Sequence, residues 1–453
     1  LQCIRMAGRF DIVVTGIQDI YLTGNPQMSY FLNRFKRHTK FTTQVFEMPF
    51  NGVPERGNVL IAPISTTSGD MISNMTLKIF VDRNKTSNVY DSFIKSTIDY
   101  VDLFIGKQHI DRLTSDYIMM YRKLRSNEKN DLNILYRDSY NIYSHFSSSI
   151  PLYLDLPFYF YKNPHLAIPV CAMYKHSLEV HVKMKDPIVF QDEYMPTNYS
   201  EDLKIAKISL NVDYHHLMDI ERDFFKTRPL EYIITQTQKV VKDIDSNDID
   251  KEHTFMCGLK NPVREFMFFL QHNAWENLTN RGNINEELDY ANFKINNETL
   301  FTGEHLELSS EQFLKRYKSP SDIVEEELIW HRDPRFYNQT FIPLNDILSL
   351  DAVRNLPGQG GGSKTTLGWF KTFKVKNGLF YVYSLGMDAS NGEPSGQLNM
   401  SRIIHQQFTF KFKTPDPNSI YSVWNNLYRS TLSLYAVNYN IIVFNDGLCG
   451  LKY

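Results

Sequence analysis

Residues 380–404 read FYVYSLGMDASNGEPSGQLNMSRII, and this stretch says more about the fold than any other part of the chain. It opens with four aromatic or β-branched residues, which favour a pleated, half-buried strand. Residues 391–396 (NGEPSG) then supply the positive-φ and fixed-φ positions that consecutive turns require. The stretch therefore predicts a strand, a surface loop and a second strand.

Strand-like runs of the same kind recur along the chain, and turn residues separate most of them. They lie at 71–81, 100–105, 152–161, 178–184, 205–212, 266–270, 373–385, 408–412 and 433–444. Helical periodicity is confined to short pieces, of which 111–124 and 309–317 are the best; each opens with an acidic or Ser residue that suits a helix N-terminus. Many strands and few helices predict an all-β protein built from sandwiches.

The length of 453 residues suits two domains of about 200 residues each. A faint internal duplication supports two similar domains. Residues 100–110 (YVDLFIGKQHI) can be laid on residues 290–300 (YANFKINNETL), and in each copy a strand turns and a short helical segment follows.

Composition excludes several classes of function. The 49 Lys and Arg residues against 51 Asp and Glu residues leave a formal net charge of −2, so no global field attracts nucleic acid, and no direct nucleic-acid partner is expected. The four cysteines are far apart, which predicts neither a zinc site nor a disulfide framework. Neither a membrane span nor a signal peptide is expected, because no apolar run approaches about 18 residues and no basic-then-apolar leader opens the chain.

Three motifs resemble catalytic or metal-binding sites, and each fails on context. Residues 331–338 match the spacing of a kinase catalytic loop, but the other kinase motifs do not occur in the required order. Residues 358–365 (GQGGGSKT) carry Ser363 where a phosphate-binding loop requires Gly. His215 and His216 adjoin Asp213, yet neighbouring strand residues point to opposite faces. No enzyme activity, catalytic residue, cofactor or metal is therefore predicted.

The turn Pro394, Ser395 and Gly396, followed by Asn399, Ser401 and Arg402, resembles the signature of the major capsid proteins of the nucleocytoplasmic large DNA viruses. Five further segments resemble that family in the same order along the chain. They are DIYLTGNP (19–26) leading into RHT (37–39), FYKNPHLAIP (160–169), LMDIERDFF (217–225) with EYI (231–233), NPVRE (261–265) and LYAVNYN (434–440). The resemblance covers the whole chain.

This resemblance implies an all-β double jelly roll, which is two eight-stranded antiparallel β-sandwiches with short helices in loops. It divides the chain into an N-terminal arm (1–24), a first jelly roll (25–217), a connector (218–238) and a second jelly roll (239–453). It implies a major capsid protein whose homotrimers form pseudo-hexagonal capsomers of a large icosahedral shell. The implied partners are neighbouring capsomers and minor capsid proteins beneath the shell, which overlies an internal membrane. The implied location is the virion, after assembly in the host cytoplasm.

Two alternatives remain open at this stage. The chain is compatible with an assembly scaffold or minor capsid jelly-roll protein. It is also compatible with a carbohydrate-binding jelly roll that contacts a host-surface glycan, for which Trp275, Tyr290 and Tyr337 are candidate stacking residues.

Some surface features are also predicted. Seven Asn-x-Ser/Thr sequons occur, and polar surroundings favour Asn198, Asn277 and Asn338 as glycosylation sites. Long loops near 127–148, 273–287 and 319–376 are expected to form outer towers or trimer clasps, because loop insertions cost little stability.

Overall fold

A computed structural model of the chain describes residues 19–27, 29, 31, 37–83, 97–125, 151–185, 203–245, 248, 251–272, 288–304, 307–317, 380–389, 393–413 and 430–453. The chain divides into two compact units, Leu1–Lys40 and Phe41–Tyr453. In the first unit, the structure describes a four-residue helix, α1 (Ile20–Thr23), which ends where the Gly24 N–H donates to the Ile20 carbonyl.

The described part of the second unit is built mainly of antiparallel strands. Its first half contains β1 (Phe41–Pro49), β2 (Val59–Ile64), β3 (Met71–Arg83), β4 (Ile98–Ile105), β5 (Gln108–Thr114), β6 (Pro151–Asp155), β7 (Leu178–Met184) and β8 (Leu203–Leu217). Its second half contains β9 (Leu230–Ile244), β10 (His253–Met256), β11 (Pro262–His272), β12 (Leu288–Ile295), β13 (Glu298–Glu304), β14 (Tyr381–Ser384), β15 (Leu398–Asn399), β16 (Gln406–Phe412), β17 (Ser430–Asn445) and β18 (Leu448–Leu451).

Helices are short and lie in the connections. The α-helices in the described ranges of the second unit are α2 (Ser115–Leu124) and α3 (Asp219–Thr227). Single 3₁₀ turns occur at Pro164–Leu166, Val170–Ala172 and Met400–Arg402, and π-type turns at Glu307–Glu311 and Phe313–Tyr317.

Strand order is the same in both halves of the unit. The first half forms the sheets β1-β8-β3-β6 and β2-β7-β4-β5. The second half forms β9-β17-β11-β14 and β10-β16-β12-β13, with β15 added beside β11 and β18 beside β17. In each half, two four-stranded sheets built of alternating early and late strands make one jelly roll. The prediction of an all-β double jelly roll is confirmed.

The duplicated segments occupy equivalent hairpins of the two rolls. Residues 100–110 lie in β4 and β5, and residues 290–300 lie in β12 and β13. Both hairpins turn through two residues with positive φ, Gly106 (57°) with Lys107 (69°) and Asn296 (47°) with Asn297 (71°). Two successive positive-φ residues match the right-handed twist of the flanking strands.

The two rolls are packed through a shared hydrophobic core. The side chains of β11 and β17 that face into the second roll, such as Phe266 and Leu434, pack with Phe408 and Phe410. The side chains on the opposite face belong to the same cluster as the core of the first roll; they include Met267, Phe269, Tyr435 and Val437. The sheet β9-β17-β11-β14 is therefore buried on both faces at its centre, which explains the nearly continuous apolar runs of β11 and β17.

The segment predicted as the connector contains two elements. Helix α3 occupies 219–227, and β9 begins at Leu230, so residues 230–238 form part of the second roll's sheet and pair with β17. The domain boundaries themselves remain a prediction.

Candidate functional site

The signature residues join two turns of the second roll. Ser395 Oγ donates to the Asp388 carbonyl (3.0 Å) and accepts from the Asp388 N–H (3.3 Å). A Cβ atom at Gly386 would lie 2.7 Å from this hydroxyl, and one at Gly396 would lie 2.7 Å from the Leu385 carbonyl oxygen. Close packing of the two turns explains why small residues occupy these positions, and Pro394 beside them lines a cleft described below.

The second part of the signature is fastened to the NPVRE segment. Asn399 Oδ1 accepts the Ser401 N–H (3.1 Å), which caps the 3₁₀ turn Met400–Arg402. Ser401 Oγ accepts the N–H of Asn261 (2.8 Å), and the Met400 N–H donates to the Asn261 carbonyl (3.0 Å). Two segments that carry the family resemblance therefore meet here, and these contacts maintain the fold. The Arg402 side chain is exposed.

A buried glutamine that sequence reasoning missed completes this corner. Gln406 is 3% exposed; its Nε2 donates to the carbonyls of Leu259 (2.9 Å), Met400 (2.9 Å) and Ile403 (3.1 Å). Its Oε1 accepts the Leu259 N–H (2.6 Å). One amide side chain thus pairs backbone groups from two connections, and no local pattern in the sequence reveals it.

Strands β5 and β9 form one side of the junction between the rolls. Asp111 Oδ1 accepts the Thr237 N–H (3.0 Å), and Thr237 Oγ1 donates to the Arg112 carbonyl (2.6 Å). The Gln236 amide donates to the Ile110 carbonyl. Burial raises the pKa of Asp111 to about 6, although these N–H donors oppose the rise.

A buried ionic cluster lies on the other side of the junction. Glu265 is fully buried, and its carboxylate accepts hydrogen bonds from Arg125 Nη2 (3.3 Å) and from the Tyr317 hydroxyl. Arg264 Nε lies 3.9 Å from the same carboxylate. Arg125 and Arg264 also donate to the Ala389 carbonyl (3.2 and 2.7 Å). Burial alone would raise the pKa of Glu265, but the two guanidinium groups outweigh it and hold the pKa below its ordinary value. The carboxylate therefore stays ionised and joins the rolls.

A cleft of about 890 Å³ opens beside this cluster between the rolls. Its lining is rich in tyrosine and includes Tyr121, Tyr161 and Tyr232 as well as Arg125 and Glu265. In the described part of the chain, no group of three or more His, Cys, Asp or Glu side chains is placed to hold a metal ion.

The histidine pair behaves as the strand geometry predicts. His215 Nδ1 bonds with Thr43 Oγ1 (3.0 Å), whereas His216 Nε2 bonds with Gln44 Oε1 (3.1 Å), so the two rings lie on opposite faces of β8. The described cysteines, Cys171, Cys257 and Cys449, are free and buried.

Several other predicted sites lie outside the described residues. They are the sequons at Asn198, Asn277 and Asn338, the aromatic residues Trp275 and Tyr337, the motifs at 331–338 and 358–365, and most of the long loops. Tyr290 is described; it is partly buried and its hydroxyl donates to Glu252.

None of the helices found in the described ranges is long and apolar enough to cross a membrane.

Known proteins resemble the chain along most of its length. The family "Major capsid protein N-terminus" matches residues 29–218. The major capsid protein of Pyramimonas orientalis virus is 25% identical over 98% of this chain and 99% of its own length. That of Paramecium bursaria Chlorella virus 1 is 24% identical, with the same two coverages.

Solved structures resemble the fold. The capsid protein in the quasi-atomic model of the PBCV-1 virus capsid superposes with a TM-score of 0.65 at 20% identity, over 94% of this chain and all of the other. The Faustovirus major capsid protein gives 0.57 at 9% identity, over 98% and 96% of the two chains. With the strand order and the signature contacts in place, the chain has the fold of the double jelly-roll major capsid proteins, and it resembles those of the nucleocytoplasmic large DNA viruses along most of its length.

Proposed function

We propose that the protein is the major structural protein of a large icosahedral DNA virus shell and that three copies form each pseudo-hexagonal capsomer. The observation that carries this proposal is the packing of two jelly rolls on one shared core. Because each chain presents two similar rolls held at a fixed angle, three chains suffice to close a ring of six.

The surface is suited to dense packing of many copies. A formal net charge of −2 on 453 residues means that neighbouring copies accumulate little repulsion. An obligate trimer should bury on the order of 2,000–5,000 Å² at each interface, with smaller and wetter contacts between capsomers.

The finer parts of the proposal concern partners and location. The protein acts in the virion after assembly in the host cytoplasm, contacts minor capsid proteins, and belongs to a shell over an internal membrane. The contacts made by the signature residues and the buried Glu265 are structural, and we assign them no catalytic role.

The molar mass of the purified protein in solution tests this function. Light scattering should give three times 53.1 kDa and hold that value on dilution. A monomer at every concentration would contradict the capsomer. Particle imaging should then find the trimer throughout the shell; a few copies per particle would instead identify a minor component.

A further inference from the structure

The two rolls can be matched residue by residue through their β-bulges. In the first roll, the pairing of β3 with β8 shifts between Ile72 and Asn74. In the second, the pairing of β11 with β17 shifts between Val263 and Glu265. Each shift leaves one extra residue at the same place in the jelly roll, so Asn74 is the counterpart of Glu265.

The same match extends to the neighbouring strands. Two residues beyond the shift, Thr76 pairs with Asn211 and Met267 pairs with Tyr435, so Asn211 is the counterpart of Tyr435. On the next strand outward, Asp213 pairs with Val45.

Val437, the counterpart of Asp213, pairs with Thr237. Val45 is therefore the counterpart of Thr237.

The edge strands β5 and β13 match in the same way. In the hairpin β4–β5, the register shift leaves Ile110 without a partner in the ladder, and in β12–β13 the shift leaves Leu300. Thr114 pairs with Tyr100 and Glu304 pairs with Tyr290, so the rest of the two strands also correspond.

Within the chain, the β5 edge of the first roll is joined to the outer face of the sheet β9-β17-β11-β14 in the second roll. Besides the contacts of Asp111 and Arg112 with Thr237, the hydroxyls of Thr114 and Tyr435 bond at 2.7 Å. Ile110 is 1% exposed at this junction.

The two corresponding surfaces, which are the β13 edge of the second roll and the outer face of β1-β8-β3-β6 in the first roll, are more exposed. Leu300 is only partly buried where Ile110 is enclosed, and Glu304 is exposed where Thr114 is partly buried. Val45 is 58% exposed, whereas Thr237 is partly buried. The second roll therefore presents an unused copy of the β5 edge, and the first roll an unused copy of the face that receives it.

Polar atoms on the receiving face point to the same conclusion. Glu265 and Tyr435 are bonded by Arg125 and Thr114 from the first roll. Their counterparts Asn74 and Asn211 each hold a side-chain Oδ1 that is shielded from solvent and has no hydrogen-bond partner in the described structure. Such atoms cost free energy until a donor reaches them.

We propose that the outer face of β1-β8-β3-β6 in one copy binds the β13 edge of a second copy, repeating between chains the junction that β5 makes within each chain. This inference rests on the proposed trimer and identifies its interface. In it, Leu300 of the second copy becomes buried against β1. Glu304 of the second copy faces Asn211, whose amide N–H groups donate to the carboxylate, while the unpaired Oδ1 atoms of Asn74 and Asn211 accept from other donors of the second copy.

The two junctions differ in polarity for a physical reason. The face used within the chain carries Met267, Phe269 and Val437, which never meet water once the chain has folded. The matching positions used between chains include Thr76 and Asp213. A polar face keeps the separate chain soluble until its neighbour arrives.

A disulfide placed across the interface tests the inference. Because Thr237 Oγ1 lies 2.6 Å from the Arg112 carbonyl, their counterparts Val45 and Thr302 should be adjacent between chains. With Cys3→Ser in the background, V45C/T302C should form covalent trimers on a non-reducing denaturing gel. V45C and T302C alone should form none, and R112C/T237C should form the equivalent bond within one chain.

The outcomes separate the interface from the function. Trimers in solution without bonds between chains, when R112C/T237C does oxidise, would overturn this interface and leave the capsomer standing. Monomeric protein would overturn both.

A substitution at the interface gives an independent result. L300D should convert trimers to monomers, while M256D, at an exposed apolar position on the opposite edge strand β10, should leave the trimer intact. Both variants should keep the circular dichroism spectrum of the folded chain. A trimeric L300D protein would contradict the proposal.

Discussion

At the scale of single residues, Asp111 shows how a side chain that joins the rolls can also make stability depend on pH. Its folded-state pKa of about 6 lies above the ordinary value of 3.8 because the carboxyl is buried. The folded protein therefore keeps a proton that the unfolded chain releases between these pH values. The contribution of Asp111 to stability thus falls as the pH rises from about 4 to 6, and stays low above that.

The variant D111N isolates this effect, because the amide stays neutral and its oxygen can still accept the Thr237 N–H. Relative to the wild type, D111N should gain nothing near pH 4 and up to about 3 kcal/mol in free energy of unfolding above pH 6. His109 and Arg112 lie beside Asp111 and are present in both proteins, so the difference between the two proteins reports the carboxyl together with its interactions with these neighbours. Denaturant unfolding at pH 4, 5, 6 and 7.5 measures the difference, and a gain independent of pH would show that the carboxyl does not titrate in this range.

At the same scale, the sequence predicted the positions of several structurally important residues, but it did not predict the contacts that these residues make. Asn399, Ser401 and Gly396 were identified by resemblance, and the structure places them in a tight set of turns. Gln406 could not be found, and Glu265 was singled out only as part of the NPVRE segment without its role, because the partners of both lie in distant parts of the sequence. A buried polar residue is recognised by its partners, which only the fold brings together.

At the scale of elements, the regular strands of the sheet centres were predictable and the edges were not. The runs at 266–270 and 433–444 correspond to β11 and β17, which are apolar because both of their faces are buried. Strand β1 escaped notice because most of its side chains are exposed and its pattern is mixed. Residues 111–114 were predicted to begin a helix, but they end β5, and the Thr114 hydroxyl caps α2 by accepting the Tyr117 N–H (3.3 Å). Asp and Thr at this point suit a helix start and a polar junction equally well.

The hairpin β4–β5 gives a test at this scale, because its two turn residues should respond in opposite ways. A Cβ at Gly106 would lie 2.5 Å from His176 Nδ1, which accepts the Cys449 N–H (3.1 Å). G106A should therefore lower the free energy of unfolding by about 2 kcal/mol. Lys107 holds a φ of 69°, which Gly adopts without a Cβ penalty, so K107G should raise it by about 0.5–1 kcal/mol. In thermal unfolding, the midpoint temperature of G106A should lie below that of the wild type and the midpoint of K107G above it. Shifts of both midpoints in the same direction would contradict this account.

At the scale of the whole molecule, composition, repeated strands and the duplicated hairpin were enough for two β-sandwiches. The position of one roll on the other was not predictable, because the outer face of β11 and β17 reads in the sequence like any other buried strand. Only the structure shows that Met267, Phe269 and Tyr435 on this outer face pack into the core of the first roll.

A shared core has a thermodynamic consequence for the whole chain. If the rolls are stabilised through one continuous core, neither can unfold without exposing the apolar face of the other, so both should melt in a single calorimetric transition. F408A, inside the second roll, and L103A, inside the first, should each lower the temperature of that one transition, since each removes a fully buried side chain at a cost of about 2–5 kcal/mol. The exposed substitution V241A on β9 is the control and should leave it nearly unchanged. The contradicting result would be two resolved transitions, with each core variant shifting only one of them. That result would mean that the junction is too weak to couple the unfolding of the two rolls. The fixed angle between the rolls, which lets three chains close a ring of six, would then have to come from contacts with the neighbouring chains.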